Sequence, residues 1–266
     1  MNQDQVKERL LRLDSEVPEF TVTFSGKQSK KAHGLYYPDR AEIILHNRNF
    51  ANDNDLMYTA IHEFAHHVHF SRAAVPVSNR PHTVEFRSIF HGLLEEAEAQ
   101  GVYESVFDRH PDFQRLTRTI RDQFLAENGK IMKELGRLLV EAEALCREHH
   151  ARFEDYIERV LLLDRRSASG AIKVFHADID PRLGYDNMKT VAGIRNQEER
   201  TRAQQELLDG KSPDMVRAAY SVPQKRRNED PAEALIAERD RLNRAIESMQ
   251  ERLKQIEERI DSIRSL

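Results

Sequence analysis

The sequence predicts an α+β protein in which a small N-terminal sheet precedes an all-helical region that ends in a coiled coil. Strand-like segments occur near the start of the chain, helical spacing of apolar residues dominates beyond them, and apolar residues recur at heptad spacing near the end. We therefore divide the chain into a first domain (residues 1–110), a helical domain (111–220), a linker (221–230) and a coiled coil (231–266).

The first domain combines short strands with two longer helices. A helix over residues 3–13 opens the chain, and Asn52 offers N-cap chemistry for a helix that is under way by Leu56. A further helix is expected from residue 83 to about 106, after a loop that contains two prolines. Three segments have strand composition: residues 20–24, 34–38 and 41–45.

The composition excludes several classes of protein. The net charge of -4 rules out a generally basic nucleic-acid coat. Cys146 is the single cysteine, so neither an intrachain disulfide framework nor a cysteine-rich zinc ribbon can form. The N-terminal segment lacks the apolar core of a signal peptide, and no run approaches the roughly 18 apolar residues of a membrane span. We expect a cytoplasmic protein without a membrane partner.

The segment His62-Glu63-Phe64-Ala65-His66 carries the strongest chemical signal. Residues four apart share one helix face, so His62 and His66 can direct ring nitrogens at a single Zn²⁺ ion. Glu63 can then act as a general base toward water activated by the zinc, which is the chemistry that peptide hydrolysis requires. The motif therefore predicts a zinc metallopeptidase.

The third metal ligand defines the subclass. A metzincin needs Gly and His at positions that hold His69 and Arg72 here, so that subclass is excluded. Two alternatives remain open from the residues themselves: His82 at the start of the next helix, or a glutamate within that helix. The candidate glutamates are Glu85, Glu95, Glu96 and Glu98.

The first domain resembles the SprT-like metallopeptidases, a group that includes the Spartan proteases that digest proteins crosslinked to DNA. The resemblance covers residues 17–99 and rests on four segments in the same order. Thr83 stands where this family often has Gly, and the cysteine zinc ribbon common in such proteins is absent. The four segments are GLYYP (34–38), IIL (43–45), HEFAHH (62–67) and PHTVEF (81–86).

This resemblance implies a zincin-like fold and a zinc-dependent endopeptidase that acts on protein substrates, including proteins held on DNA. It also implies His82 as the third zinc ligand beside His62 and His66. For the other histidines, His67 and His69, we predict packing or solvated roles. Glu85 is expected either to orient a ligand or to face solvent.

The helical domain contains a candidate helix-turn-helix that ends in a helix opened by Arg165 and Arg166. Arg165, Arg166 and Lys173 are the predicted DNA contacts. This stretch resembles the helical DNA-binding regions of ParB-like and KfrA-like proteins, which implies DNA as a partner. The alternative is a helical bundle that packs on the first domain or holds another protein.

The last segment has a heptad repeat of apolar residues that spans four heptads and is interrupted at Arg239. It predicts a coiled coil, formed either between chains through residues 232–266 or with the helix that begins near residue 198. A single amphipathic helix is the alternative. The repeating residues are Leu235, Leu242, Ile246, Met249, Leu253, Ile256, Ile260 and Ile263.

Two further functional hypotheses follow from the same features. One is a DNA-binding regulator or scaffold in which the zinc site is only structural. The other is a regulatory protease that cleaves a repressor, as in the ImmA and IrrE group, whose members also join HExxH to a helix-turn-helix. The order of the strands and His82 favours the SprT-like hypothesis.

Overall fold

A computed structural model of the protein describes residues 1–77, 81–220 and 230–264. Within these ranges the chain is mostly helical and forms one three-stranded mixed sheet. The predicted α+β class is therefore confirmed. No helix in these ranges combines the length and the apolar character needed to cross a bilayer.

The sheet lies in the first domain and has the order β1-β3-β2. Strand β3 pairs in parallel with β1 and antiparallel with β2. A 3₁₀ turn at Pro38–Arg40 connects β2 to β3, and Ala41 after it adopts a left-handed conformation with φ of 46°. The strands are β1 (Thr21–Phe24), β2 (Gly34–Tyr37) and β3 (Glu42–Leu45).

Three helices pack with this sheet around one apolar core. Helix α1 (Gln3–Leu13) begins with a capping box from Asn2 and buries Val6 and Leu10. Helix α2 (Asp53–Arg72) is capped by the Asn52 side chain, as its sequence predicts. Helix α3 is Val84–Ala99.

Helix α3 ends at Ala99, earlier than the predicted end near residue 106. Gln100 is its C-cap, and Gly101 follows with φ of 67°. Glycine adopts this left-handed conformation without a steric penalty, and it commonly terminates helices. Val102, just beyond, is buried in the core of the first domain.

The helical domain begins with one long rod. Helix α4 (Pro111–Ile120) continues through a π-helical turn (Arg121–Leu125) into α5 (Ala126–Glu148). The rod stops at His150, which adopts a left-handed conformation with φ of 55°. The elements that follow are α6 (Phe153–Asp155) with a π turn (Tyr156–Val160), α7 (Arg165–His176), α8 (Tyr185–Ala192), α9 (Gln197–Leu208) and α10 (Pro213–Tyr220).

Helices α5 and α7 cross at very close range. A Cβ atom on Gly136 of α5 would lie 2.2 Å from the carbonyl oxygen of Ala171 on α7. Only glycine permits this approach of two helix backbones. The small core beside the crossing includes Leu139 and Ile157.

The helical domain contacts the first domain through α10, which packs along α3. The Arg87 Nε on α3 donates a hydrogen bond of 3.0 Å to Asp214 Oδ2 on α10. His91 Nδ1 and the Ser212 hydroxyl are also within hydrogen-bond distance. Because α3 begins beside His82, this interface lies next to the predicted metal ligands.

The final helix, α11, spans Pro231–Arg264. Its heptad residues are exposed along their whole length. The predicted linker at residues 221–230 lies outside the described residues except for Asp230.

Candidate metal centre

The structure brings three histidine side chains together at the junction of α2 and α3. His62 and His66 lie one turn apart on α2, and His82 stands just before the N-cap of α3, which is Thr83. One ring nitrogen from each of the three lies within 4.8 Å of the others, an arrangement that can hold a metal ion.

The two distances from His82 to the other ligands are close to those of a tetrahedral ligand set. His82 Nε2 lies 3.1 Å from His66 Nε2 and 3.2 Å from His62 Nε2. Ligands at the zinc–nitrogen distance of about 2.0–2.1 Å are separated by roughly 3.3 Å in a tetrahedron. A single Nε2 carries either one proton or one lone pair, so His82 cannot form good hydrogen bonds to both neighbours. The three ring nitrogens are therefore positioned to bind one shared cation.

Burial keeps the two helix ligands in their neutral, metal-binding form. Desolvation, with a smaller contribution from the nearby His82, lowers the pKa of His62 to about 4. Desolvation also lowers the pKa of His66 to about 3, with smaller contributions from the neighbouring histidines. Since a metal binds only the unprotonated imidazole, the site is prepared for a cation at neutral pH.

Two phenylalanines of α3 form the apolar wall of the cluster. The Phe86 ring, which is 2% exposed, stacks on the His66 ring at a centroid distance of 4.2 Å and an interplanar angle of 24°. Phe90 meets the His62 ring edge-on at 5.1 Å. This wall limits the rotation of both ligand rings and lowers the local polarity around the ion position.

Glu63 is buried between α2 and the start of β2. It is 7% exposed, and burial raises the pKa of its carboxyl to about 7 in the metal-free chain. Gly34 lies so close that a Cβ there would be 2.8 Å from Glu63 Cγ and 3.0 Å from Glu63 Oε1. The sheet therefore fixes the Glu63 side chain through a contact that only glycine allows.

Arg87 is a residue of the site that the sequence motifs do not reveal. Its Nη1 donates a 2.7 Å hydrogen bond to the carbonyl oxygen of His82, while its Nε bonds Asp214 on α10. The third histidine is thus tied to the helical domain through one guanidinium group. Arg87 and Asp214 are 127 positions apart, so no local pattern marks this pair.

The remaining predicted residues near the motif lie outside the histidine group. In the described ranges the group contains His82 and none of the four glutamates considered as third ligand. Glu85 is exposed. Burial lowers the pKa of His69, and the negative charge of Glu85 offsets part of that decrease. His67 has a packing role: its Nε2 donates to the Pro18 carbonyl and its Nδ1 accepts from the Tyr36 hydroxyl, both at 3.0 Å.

A groove of about 1030 Å³ runs beside the N-terminal half of α2. Tyr58 and Thr59 line it one turn before His62 and Glu63, and Phe107 and Arg109 from the segment after α3 also line it. Tyr58 also meets Phe90 edge-on at 5.5 Å, so the groove and the histidine cluster share a wall.

The three predicted DNA contacts lie on one surface. Arg165, Arg166 and Lys173 of α7 line a depression of about 370 Å³, together with Lys189 of α8. Arg165 is paired with Glu158 through two hydrogen bonds of 2.8 Å. The depression is therefore basic, with part of its charge neutralised locally.

Compared with known proteins, the chain matches no family model, no curated protein and no solved structure. The function is therefore inferred from the geometry and chemistry of the site. The resemblance to SprT-like metallopeptidases contributes to that inference as an expectation from the sequence.

Proposed function

We propose that the protein is a zinc-dependent endopeptidase of SprT-like type, with His62, His66 and His82 as zinc ligands and Glu63 as general base. The observation that carries this proposal is the convergence of three histidine ring nitrogens within 4.8 Å, with a buried carboxylate next to His62 on the same helix. The zincin-like character of the first domain belongs to the same proposal. It is supported by the sheet, the HExxH helix and a third ligand that lies just before the next helix.

The chemistry assigned to each residue follows from its position. Zinc, when bound, supplies Lewis-acid polarisation and a water molecule activated near neutral pH. The Glu63 carboxylate accepts the proton of the attacking water and returns it to the amine that leaves. Burial of Glu63 under Gly34 fixes the direction of the carboxylate, and the phenylalanine wall holds the ligand rings.

The number of ligands favours a catalytic site over a structural one. Structural zinc sites are closed by four protein ligands, whereas catalytic sites use three and leave one position open. In the described ranges no fourth histidine, cysteine or acidic residue joins the group. His82 is also exposed, so the site can be reached from solvent.

A protein substrate fits the groove that adjoins the cluster. Its lining mixes aromatic and polar groups, and Val106 and Phe107 are 50% and 58% exposed there. An extended segment in this groove would run along α2 toward Glu63. Cleavage within a chain, as opposed to removal of a terminal residue, suits a groove that is open to solvent.

The test compares zinc content and proteolysis of matched variants. We expect wild type to bind one zinc per chain and to cleave an unstructured protein such as casein. His82→Ala should lose both properties, while His149→Ala, which removes an exposed histidine after α5, outside both the histidine group and the groove, should keep both. Stoichiometric zinc in His82→Ala would contradict the ligand assignment.

A second candidate function is a DNA-binding regulator or scaffold in which zinc is only structural. The basic depression on α7 favours this candidate, because four cationic side chains line one concave surface. It predicts DNA binding that is unchanged by Glu63→Gln, and no proteolysis. A different result would connect DNA binding to the peptidase activity. In that case single-stranded DNA would stimulate proteolysis by wild type, whereas the double variant Arg166→Ala, Lys173→Ala would keep its basal rate when DNA is added.

A further inference from the structure

Helix α11 carries an apolar seam that no described part of the chain covers. Its eight large heptad residues span 28 positions, or about 42 Å of helix. An exposed apolar surface of this length marks an interaction site. The eight residues, all 42–63% exposed, are Leu235, Leu242, Ile246, Met249, Leu253, Ile256, Ile260 and Ile263.

We propose that α11 pairs with α11 of a second copy of this chain, and that the two helices run antiparallel. In the fully overlapped register each a position faces a d position of the other copy. Arg239 then faces an isoleucine, and every other seam residue faces an apolar one. The facing pairs are Leu235 with Ile260, Arg239 with Ile256, Leu242 with Leu253, Ile246 with Met249, and Ala232 with Ile263.

A parallel pair is disfavoured by charge. The two copies of Arg239 would meet in one core layer, and desolvating two guanidinium groups against each other is costly. The flanking positions would also place Arg259 of one helix beside Arg264 of the other. The single attractive flanking pair, Arg252 with Glu257, offsets only one of these repulsions.

The antiparallel pair removes both repulsions. Each Arg239 lies opposite Ile256, about 25 Å along the axis from the other Arg239. Glu238 lies beside Arg259 of the second copy, and by symmetry this attractive pair forms twice. Glu238 already binds Arg241 of its own helix, but each carboxylate oxygen keeps a further lone pair for Arg259.

The α4–α5 rod is the competing occupant within the chain. It exposes eight large apolar residues, and from Phe124 onward those on one side recur only every seven positions, at Ile131, Leu138 and Leu145. The apolar side of the rod and the α11 seam do not contact each other within one chain, since the residues of both are exposed. From Phe124 to Leu145 the rod supplies one exposed apolar residue per heptad where the seam has two, so alternate layers of a rod–α11 pair would lack an apolar residue from the rod. An α11 helix of equal length covers all of the seam.

The oligomeric state tests the choice of partner. Sedimentation velocity of the full chain should give twice the chain mass of 31.0 kDa. Leu253→Asp, in a central layer of the seam, should give a monomer, and its circular dichroism should stay close to wild type because the side chain is exposed. Leu138→Asp on the rod should stay dimeric. A monomeric wild type, or dissociation by Leu138→Asp alone, would overturn the proposal.

Disulfide trapping tests the direction of the helices. In a Cys146→Ala background, Leu235→Cys protein that carries a mass tag is mixed with untagged Ile260→Cys protein and oxidised. An antiparallel pair gives the mixed disulfide and no homodisulfide, because the two copies of position 235 would be about 37 Å apart, well beyond the roughly 4.4–6.8 Å of a disulfide. Homodisulfides, or a dimer that forms no disulfide, would refute the antiparallel arrangement.

Discussion

Adding one methyl group at Gly34 should separate zinc binding from catalysis. The Cβ of Gly34→Ala would lie 2.8 Å from Glu63 Cγ and 2.9 Å from Thr59 Cγ2. An ordinary carbon–carbon contact is about 3.5 Å, so Glu63 must move by roughly 0.7 Å. Misplacement of a catalytic group on this scale lowers the rate by roughly ten- to a hundredfold. Overpacking of a buried site costs about 1–3 kcal/mol of unfolding free energy.

The assay combines three measurements on the same preparation: kcat for casein cleavage, zinc affinity by competition with a chromophoric chelator, and urea unfolding. We expect kcat and stability to fall while zinc affinity changes little, because the nearest atoms to the methyl group belong to Glu63 and Thr59. Gly92→Ala on α3 is the matched control, since its Cβ would meet only Met215 Cε, at 3.9 Å. A Gly34→Ala protein with wild-type rate and stability would refute the assigned position of Glu63.

Three further predictions address pH, ligand positioning and the helical domain. Burial raises the pKa of Glu63 from 4.5 to about 7, so its contribution to the stability of metal-free protein is complete below pH 4.5 and is lost as the pH rises through 7. In EDTA, the unfolding free energy of Glu63→Gln relative to wild type should therefore rise by roughly 3 kcal/mol between pH 4 and pH 8, measured by urea titration. Arg87→Met should weaken zinc binding about tenfold in the chelator assay, because the carbonyl of His82 loses its hydrogen bond. Gly136→Ala should lower the unfolding free energy by about 3 kcal/mol, because its Cβ would lie 2.2 Å from the backbone oxygen of Ala171.

Each of these predictions has an outcome that contradicts it. A pH-independent difference between Glu63→Gln and wild type would mean that Glu63 is not buried in the metal-free protein. Unchanged zinc affinity in Arg87→Met, with Arg87→Lys as the charge-preserving comparison, would show that His82 is held without Arg87. For Gly136→Ala, wild-type stability would require helices α5 and α7 to be farther apart than the structure has them.

The sequence predicts the parts of the molecule that depend on local patterns. The Asn52 cap and the four-residue spacing of His62 and His66 define α2 and the direction of both rings. Alternation of apolar and polar residues locates β1, and strand-like composition on either side of a turn locates β2 and β3, all within a residue or two. These features depend on neighbours within a few positions, where periodicity and capping rules apply.

Contacts between distant segments are what the sequence does not reveal. Spacing left the third ligand open, and it was the family resemblance that pointed to His82. Arg87 looks like an ordinary exposed helix residue until α10 brings Asp214 against it. Gly34 looks like a strand residue, although its missing side chain is what makes room for Glu63. Each depends on how elements pack, and packing has no periodic signature.

The most direct test of the proposed peptidase is the single-turnover cleavage rate of wild type against Glu63→Gln at equal, measured zinc occupancy. Because the substitution removes the proton acceptor and leaves the three histidines in place, both proteins should bind one zinc per chain. The Glu63→Gln rate should be lower by roughly 10²–10⁴-fold, the usual contribution of a general base. Equal rates in the two zinc-loaded proteins would contradict the proposed function.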